Sequence, residues 1–123
     1  MRVKATREGL LGQKTASGFV IDPFVPFVAL PSWRALQRFV RVTNPANGLS
    51  ELAVVLDVGP WNTADVDYVF GGQRPQAESG IDTRGRPTNG AGIDLGERVW
   101  HLLKMTDNGD VDWTFVDGAG VST

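Results

Sequence analysis

The chain of 123 residues contains no cysteine, one histidine and one tyrosine, and each scarcity removes a class of chemistry. Without cysteine there is no thiol nucleophile, no disulfide framework and no cysteine-ligated zinc or iron-sulfur centre, while the redox compartment stays open. The single histidine, His101, falls on the polar side of a predicted helix beside Glu97 and Lys104 and reads as a solvated residue, which closes off a Ser-His-Asp arrangement and most zinc chemistry. No apolar run approaches the roughly 18 residues of a membrane span, and the N-terminal "MRVKATREGLLGQ" lacks the h-region of a secretory signal. Basic excess is missing too. Twelve Lys and Arg stand against 14 Asp and Glu, a formal net charge of -2, so no field or cluster is present to neutralise a phosphate backbone, and nucleic acid is a poor partner. The aspartate-rich stretches "DVD" (65–67) and "DNGDVD" (107–112) lack the terminal glutamate of a calcium loop, and no lysine-bearing phosphate loop occurs, so neither metal nor cofactor is expected.

What is present is the balance of one compact domain over 1–123: 41% hydrophobic and 21% charged residues, with 15 glycines and 7 prolines spread between β-branched and aromatic runs. That punctuation predicts a mainly β fold of short strands. The expected strands are 18–22, 26–30, 38–44, 50–58 and 110–116. In "SELAVVLDV" (50–58) the period of two puts Ala53, Val55 and Asp57 on one face and Leu52, Val54 and Leu56 on the other. One helix is expected over 94–105, with Leu95, Val99, Leu102 and Leu103 on its apolar side, and with Asp94 as N-cap of a capping box closed by Glu97. Residues 61–91 show little periodicity and read as a long loop insertion.

Two aspartates and a small set of neighbours are the candidates for chemistry. Asp57 ends an apolar strand just before Gly59-Pro60, where it serves either as a functional carboxylate or as a turn former. Asp94 is either functional or merely a cap. Trp61, in a Gly/Asn-rich loop, and Tyr68 are candidates for stacking on sugar rings, with Asn62 as a polar neighbour and core packing as the alternative. Core packing is the expectation for Trp33, Trp100 and Trp113.

In order along the chain, "GQKTASG" (12–18), "ALPSW" (29–33), "VRVTNPANG" (40–48), "VVLDVGP" (54–60) and "GIDLG" (92–96) resemble the motif series of the rare lipoprotein A family, and "MTDNGDVDWTFV" (105–116) resembles the end of the first domain of bacterial expansins, which share its fold. The resemblance implies a six-stranded double-psi β-barrel with one short α-helix and the 61–91 insertion. It implies a groove built around Asp57 and Asp94, with Thr15 facing it, and a polysaccharide partner such as peptidoglycan, either cleaved by a lytic transglycosylase or glycosidase or bound without cleavage by an expansin-like or structural module. It further implies a periplasmic, extracellular or virion-associated setting. Because glycosidic cleavage uses an acid and a second carboxylate, Asp57 is expected to be the acid and Asp94, at a helix N-terminus, the ionised partner. Phe19 and Phe27 stand where lytic members carry glutamate and histidine, and Gly59 stands where expansins carry tyrosine.

Overall fold

The computed structural model describes residues 1–9 and 11–116; the last seven residues of the domain expected over 1–123 lie outside the described residues. Six strands close into a barrel: β1 (Arg2–Glu8), β2 (Phe27–Leu30), β3 (Phe39–Thr43), β4 (Ser50–Val58), β5 (Ile93–Gly96) and β6 (Gly109–Phe115). Their order around the barrel is β1-β5-β2-β4-β3-β6. The pairs β1·β5 and β2·β4 are parallel and the remaining four antiparallel. Exchanging β1, β2 and β3 with β4, β5 and β6 reproduces both the ring order and the parallel pairs. This internal pseudo-two-fold, with two parallel crossings, is the double-psi topology, and closure leaves the sheet without an edge.

Period-two alternation builds the core. Each strand sends a pair of buried side chains inward: Val3 and Ala5, Val28 and Leu30, Val40 and Val42, Ala53 and Val55, Ile93 and Leu95, Val111 and Trp113. Tyr68, Val69, Val99, Trp100 and Leu103 join this cluster from outside the strands.

Among the described residues two short α-helices are present, α1 (Val66–Val69) and α2 (Glu97–Leu102), in place of the single one expected. α2 is shorter than 94–105 because Ile93–Gly96 is claimed by strand pairing with β1 on one side and β2 on the other, and a ladder satisfied on both sides outweighs local helix propensity. Its N-cap is Gly96, with no side-chain cap bond, so the capping box expected of Asp94 does not form. Glu97 leaves the polar side: it is buried, and Arg7 Nη2 donates to its Oε2 at 2.7 Å. His101 is exposed, with Nε2 3.2 Å from Glu97 Oε2.

Residues 18–22 make only an isolated bridge, Lys14 to Val20, rather than the expected barrel strand. β1 and β5 are strands that periodicity did not predict. Trp33 is 57% exposed, with the Arg34 guanidinium over its ring, which corrects its expected core position, whereas Trp100 and Trp113 are buried. The 61–91 stretch holds α1, a 3-10 turn at Gln76–Ser79 and a tight turn in which the Asp82 carboxylate accepts from the backbone of Arg84 and Arg86 at 2.9 Å. Side-chain-to-backbone bonds of this kind need no apolar period, which is why the segment looked featureless.

Candidate functional site

One row of register partners crosses four strands: Thr6 on β1 faces Asp94 on β5, Asp94 faces Ala29 on β2, and Ala29 faces Asp57 on β4. The two aspartates therefore flank a single alanine, with backbones roughly 10 Å apart at two strand spacings. The row straddles the pseudo-two-fold, since β2·β5 is one of the two pairs, with β3·β6, that the exchange maps onto themselves. Ala29 alternates with the inward Val28 and Leu30, and Asp94 with the inward Ile93 and Leu95, so both lie on the outer side of the barrel wall.

Strict alternation would put Asp57 inside, with Ala53 and Val55. A β-bulge changes this. Between Val28 and Ala29 β2 advances one residue while β4 advances two, from Val55 to Asp57, leaving Leu56 as the extra residue. A one-residue slip moves every later side chain to the other face, and bulges re-aim side chains in this way. Asp57 thereby joins Asp94 on the outer row.

The "GQKTASG" turn is what fits onto the bulge. Ser17 Oγ donates to the Leu56 carbonyl at 2.7 Å, and the Ala16 N–H donates to Asp57 Oδ1 at 2.9 Å. A second N–H, that of Val58, reaches the same Oδ1 at 2.9 Å. Two backbone donors thus converge on one oxygen of Asp57 and fix its orientation.

A third carboxyl, which the sequence reading missed, completes the site. Glu8 ends β1 two residues after Thr6, on the same side of the strand, and lines the same cleft as Asp57 and Asp94. Burial pushes its carboxyl up to about 9, with neighbouring Asp57 and the charge of Asp94 adding to the shift. Asp94 is pushed up to about 6 by burial, opposed by the Thr6 hydroxyl that donates to Oδ1 and reinforced by the Asp57 charge. Asp94 is thus on a strand and not at a helix N-terminus, and Asp57 is the carboxyl that two backbone amides hold. Among the described residues no group of three or more His, Cys, Asp or Glu side chains has the arrangement of a metal site.

These groups line an open cleft of about 590 Å³, with Arg7, Lys14 and Trp61 around them. Trp61 is held at φ 69°, in a three-residue turn closed by the Asn62 N–H to the Pro60 carbonyl at 2.8 Å. That left-handed backbone is strained for a tryptophan. The indole N–H donates to Asn89 Oδ1 at 3.0 Å. Asp57, Asp94 and Trp61 are therefore brought to one place. Phe27 is sealed in the interior with Phe19 packed edge-on against it at 5.4 Å, and neither lines the cleft.

The other expected residues are elsewhere. Tyr68 is 1% exposed; its hydroxyl donates to the Gly92 carbonyl at 2.8 Å and accepts from Trp113 Nε1 at 2.7 Å, so it packs in the core and offers no ring to a sugar. Asn62 is 3% exposed and ties the insertion together, donating to Gln76 Oε1 at 2.7 Å and accepting from the Thr83 N–H at 3.0 Å. Thr15 is buried with its hydroxyl 3.0 Å from that of Ser17, so it supports the turn and does not face the cleft. The signal for Glu8 was in the sequence. "RVKATREG" alternates Val3 and Ala5 with Arg2, Lys4, Thr6 and Glu8, and ends an acid-bearing strand at a glycine much as "VLDVG" does.

A family model described as "Domain of unknown function (DUF8814)" matches residues 1–78, a span that holds Glu8, Asp57 and Trp61 and stops short of Asp94. No curated protein matches the chain. Among solved structures, the crystal structure of cerato-platanin 3 from M. perniciosa is similar at 14% identity with a TM-score of 0.57, over 97% of this chain and 97% of that one; at this identity the likeness is one of fold. Among the described residues no helix is long and apolar enough to cross a membrane.

Proposed function

We propose that this chain, which belongs to the family described as Domain of unknown function (DUF8814), takes a polysaccharide strand into the cleft of Glu8, Asp57 and Asp94 and cleaves its glycosidic bonds by acid-base catalysis. The observation that carries the reading is the convergence of Glu8, Asp57 and Asp94 on one open cleft with an indole among its walls, with Glu8 and Asp94 pushed up to different degrees. Glycosidic cleavage requires one carboxyl that keeps its proton and another that has lost it, and unequal environments are how a protein supplies both at neutral pH. The Trp61 ring offers an apolar face to pyranose C–H groups, and Lys14 offers donors to hydroxyl or carboxylate substituents. Peptidoglycan is the first polymer to test, on the motif resemblance.

A second reading, binding and loosening without cleavage, is favoured by one observation: Phe19 and Phe27 occupy positions that are titratable in lytic relatives and form an apolar pair instead. The two readings separate in one experiment. Purified protein is incubated with insoluble peptidoglycan and with cellulose; pull-down reports binding, and mass spectrometry of the supernatant reports cleaved glycan. Release of fragments that stops in Asp57→Asn supports cleavage. Retention on the polymer with no fragments at high protein load supports the second reading. Neither retention nor release removes polysaccharide as the partner.

A further inference from the structure

We propose that Glu8 holds the proton it shares with Asp57 and is the acid that this cleft presents to a bound glycan, Asp57 being the anion that orients it. The inference rests on the cleavage reading above and goes beyond it by taking the donor's role away from the strand-end aspartate.

Glu8, Asp57 and Asp94 line one cleft, and like charges gathered there disfavour full ionisation, so one of the three carboxyls keeps a proton. Asp57 Oδ1 already accepts two backbone N–H groups, from Ala16 and Val58. Such donors stabilise an anion and would be wasted on a neutral acid. The Glu8 carboxyl has no comparable donors among the described residues. The proton therefore stays on Glu8.

Groups facing Glu8 from the neighbouring elements agree with this. β4 brings the Asp57 anion and β5 brings Asp94, both of which disfavour a further negative charge. Arg7, the adjacent residue on β1, is turned to α2, where its guanidinium pairs with Glu97 and lies over the Trp100 ring at 5.8 Å, so its charge is already matched. Lys14 lines the cleft from the turn. Burial and the two aspartates hold Glu8 protonated up to about 9, while Asp94 is ionised above about 6. A window between those values has an acid and a base in one cleft.

The step balances with water as the second reactant. Glu8 gives its proton to the glycosidic oxygen as the C1–O bond breaks and its electron pair stays on that oxygen. Water adds to C1 and gives one proton to the Asp94 carboxylate. One glycoside and one water become two hydroxyl-ended sugars, and solvent exchange moves the proton from Asp94 back to Glu8.

The test has a direct arm and a kinetic arm. In the first, carboxyl 13C resonances of protein labelled at glutamate are followed by NMR from pH 4 to 10, with Glu8 assigned by its disappearance in Glu8→Gln. The expected result is a Glu8 carboxyl still protonated at pH 7, whose midpoint falls towards the ordinary range in Asp57→Asn. A Glu8 ionised at pH 7 overturns the proposal. In the second, Glu8→Gln, which keeps a donor to Asp57, is expected to lose about 10²- to 10⁴-fold in kcat/KM on polymer, to lose the alkaline limb of a bell-shaped pH profile, and to keep most of its rate on a nitrophenyl glycoside, whose leaving group needs no proton. Wild-type rates on polymer in Glu8→Gln, or an equal loss on the nitrophenyl glycoside, overturn it while leaving the cleavage reading intact. A wild-type protein that releases nothing from any polysaccharide removes the cleavage reading and the glycan step with it, and the NMR titration alone then decides where the shared proton sits.

Discussion

Glu8→Gln gives the sharpest test of the electrostatics, because it needs no substrate. In the folded protein the Glu8 carboxyl keeps its proton up to about 9, against an ordinary 4.5. Between those values the native state binds a proton that the unfolded chain has released, so unfolding free energy falls as pH rises. The contribution is full below about 4.5 and is lost as pH climbs through about 9. At about 1.36 kcal/mol per pH unit the whole window amounts to about 6 kcal/mol. Glu8 is only half-buried, and solvent screening halves that to about 3 kcal/mol, or about 0.7 kcal/mol per pH unit. Asp94 adds the same sign between its ordinary 3.8 and about 6. Glu97 and Asp112, held below the usual carboxylate range first by hydrogen bonds from Arg7 and Arg2, act oppositely and lose their contribution as pH falls. Maximal stability is therefore expected at mildly acidic pH. Glutamine carries no titrating proton, so at pH 8 Glu8→Gln should be more stable than wild type by about 2 kcal/mol, raising Tm by about 5–10 °C. At pH 4.5 the two should nearly coincide. Urea and thermal unfolding followed by circular dichroism from pH 4.5 to 9 measure both curves; a wild-type curve that is flat or rising from pH 5 to 9, or that runs parallel to the variant, refutes the reasoning.

Tyr68→Phe removes the hydroxyl shared by the Gly92 carbonyl and the Trp113 indole N–H, leaving a buried donor and acceptor unpaired at about 2–4 kcal/mol; the urea midpoint should fall while retention on polysaccharide is unchanged, as expected of a core residue. Trp61→Ala should do the reverse, weakening retention about tenfold with little change in Tm, whereas Trp33→Ala, although that indole is the more exposed, should leave retention intact because it lies outside the cleft lining. Gly96→Ala places a methyl 2.7 Å from Cδ1 and 2.9 Å from Cζ of the buried Phe27; overpacking of about 1–3 kcal/mol should appear as a lower Tm.

Much of the barrel was legible because its strands obey the period of two. β4 matches its predicted limits and β2, β3 and β6 lie within a residue or two of theirs, since β3, β4 and β6 alternate apolar with more exposed positions and β2 is a short, wholly apolar buried run. β1 was hidden by charge. Its inward residues are only Val3 and Ala5, and the Arg, Lys, Thr and Glu around them leave too little apolar signal for a period of two to stand out. β5 was hidden by a stronger local signal, because Asp94 and Glu97 have the spacing of a capping box while pairing with β1 and β2 decides otherwise. The aspartate pair was visible through motif order; Glu8 belongs to no motif, and only the parallel pairing of β1 beside β5 brings it to the row.

The site itself turns on a feature that no periodic reading of a single strand can show. With regular alternation, Asp57 would follow Ala53 and Val55 into the apolar interior, where an ionised carboxylate without a partner is untenable. The extra residue Leu56 turns it out, but a bulge strands a carbonyl, and the Ser17 hydroxyl satisfies it at 2.7 Å. The same turn then supplies the Ala16 N–H that donates to Asp57 Oδ1. Bulge, turn and carboxyl are thus one unit: the serine lets the strand kink, the kink aims the aspartate, and the neighbouring amide pins it. It follows that the aim of the Asp57 carboxyl in the cleft is governed from residues 16 and 17 as much as from its own strand.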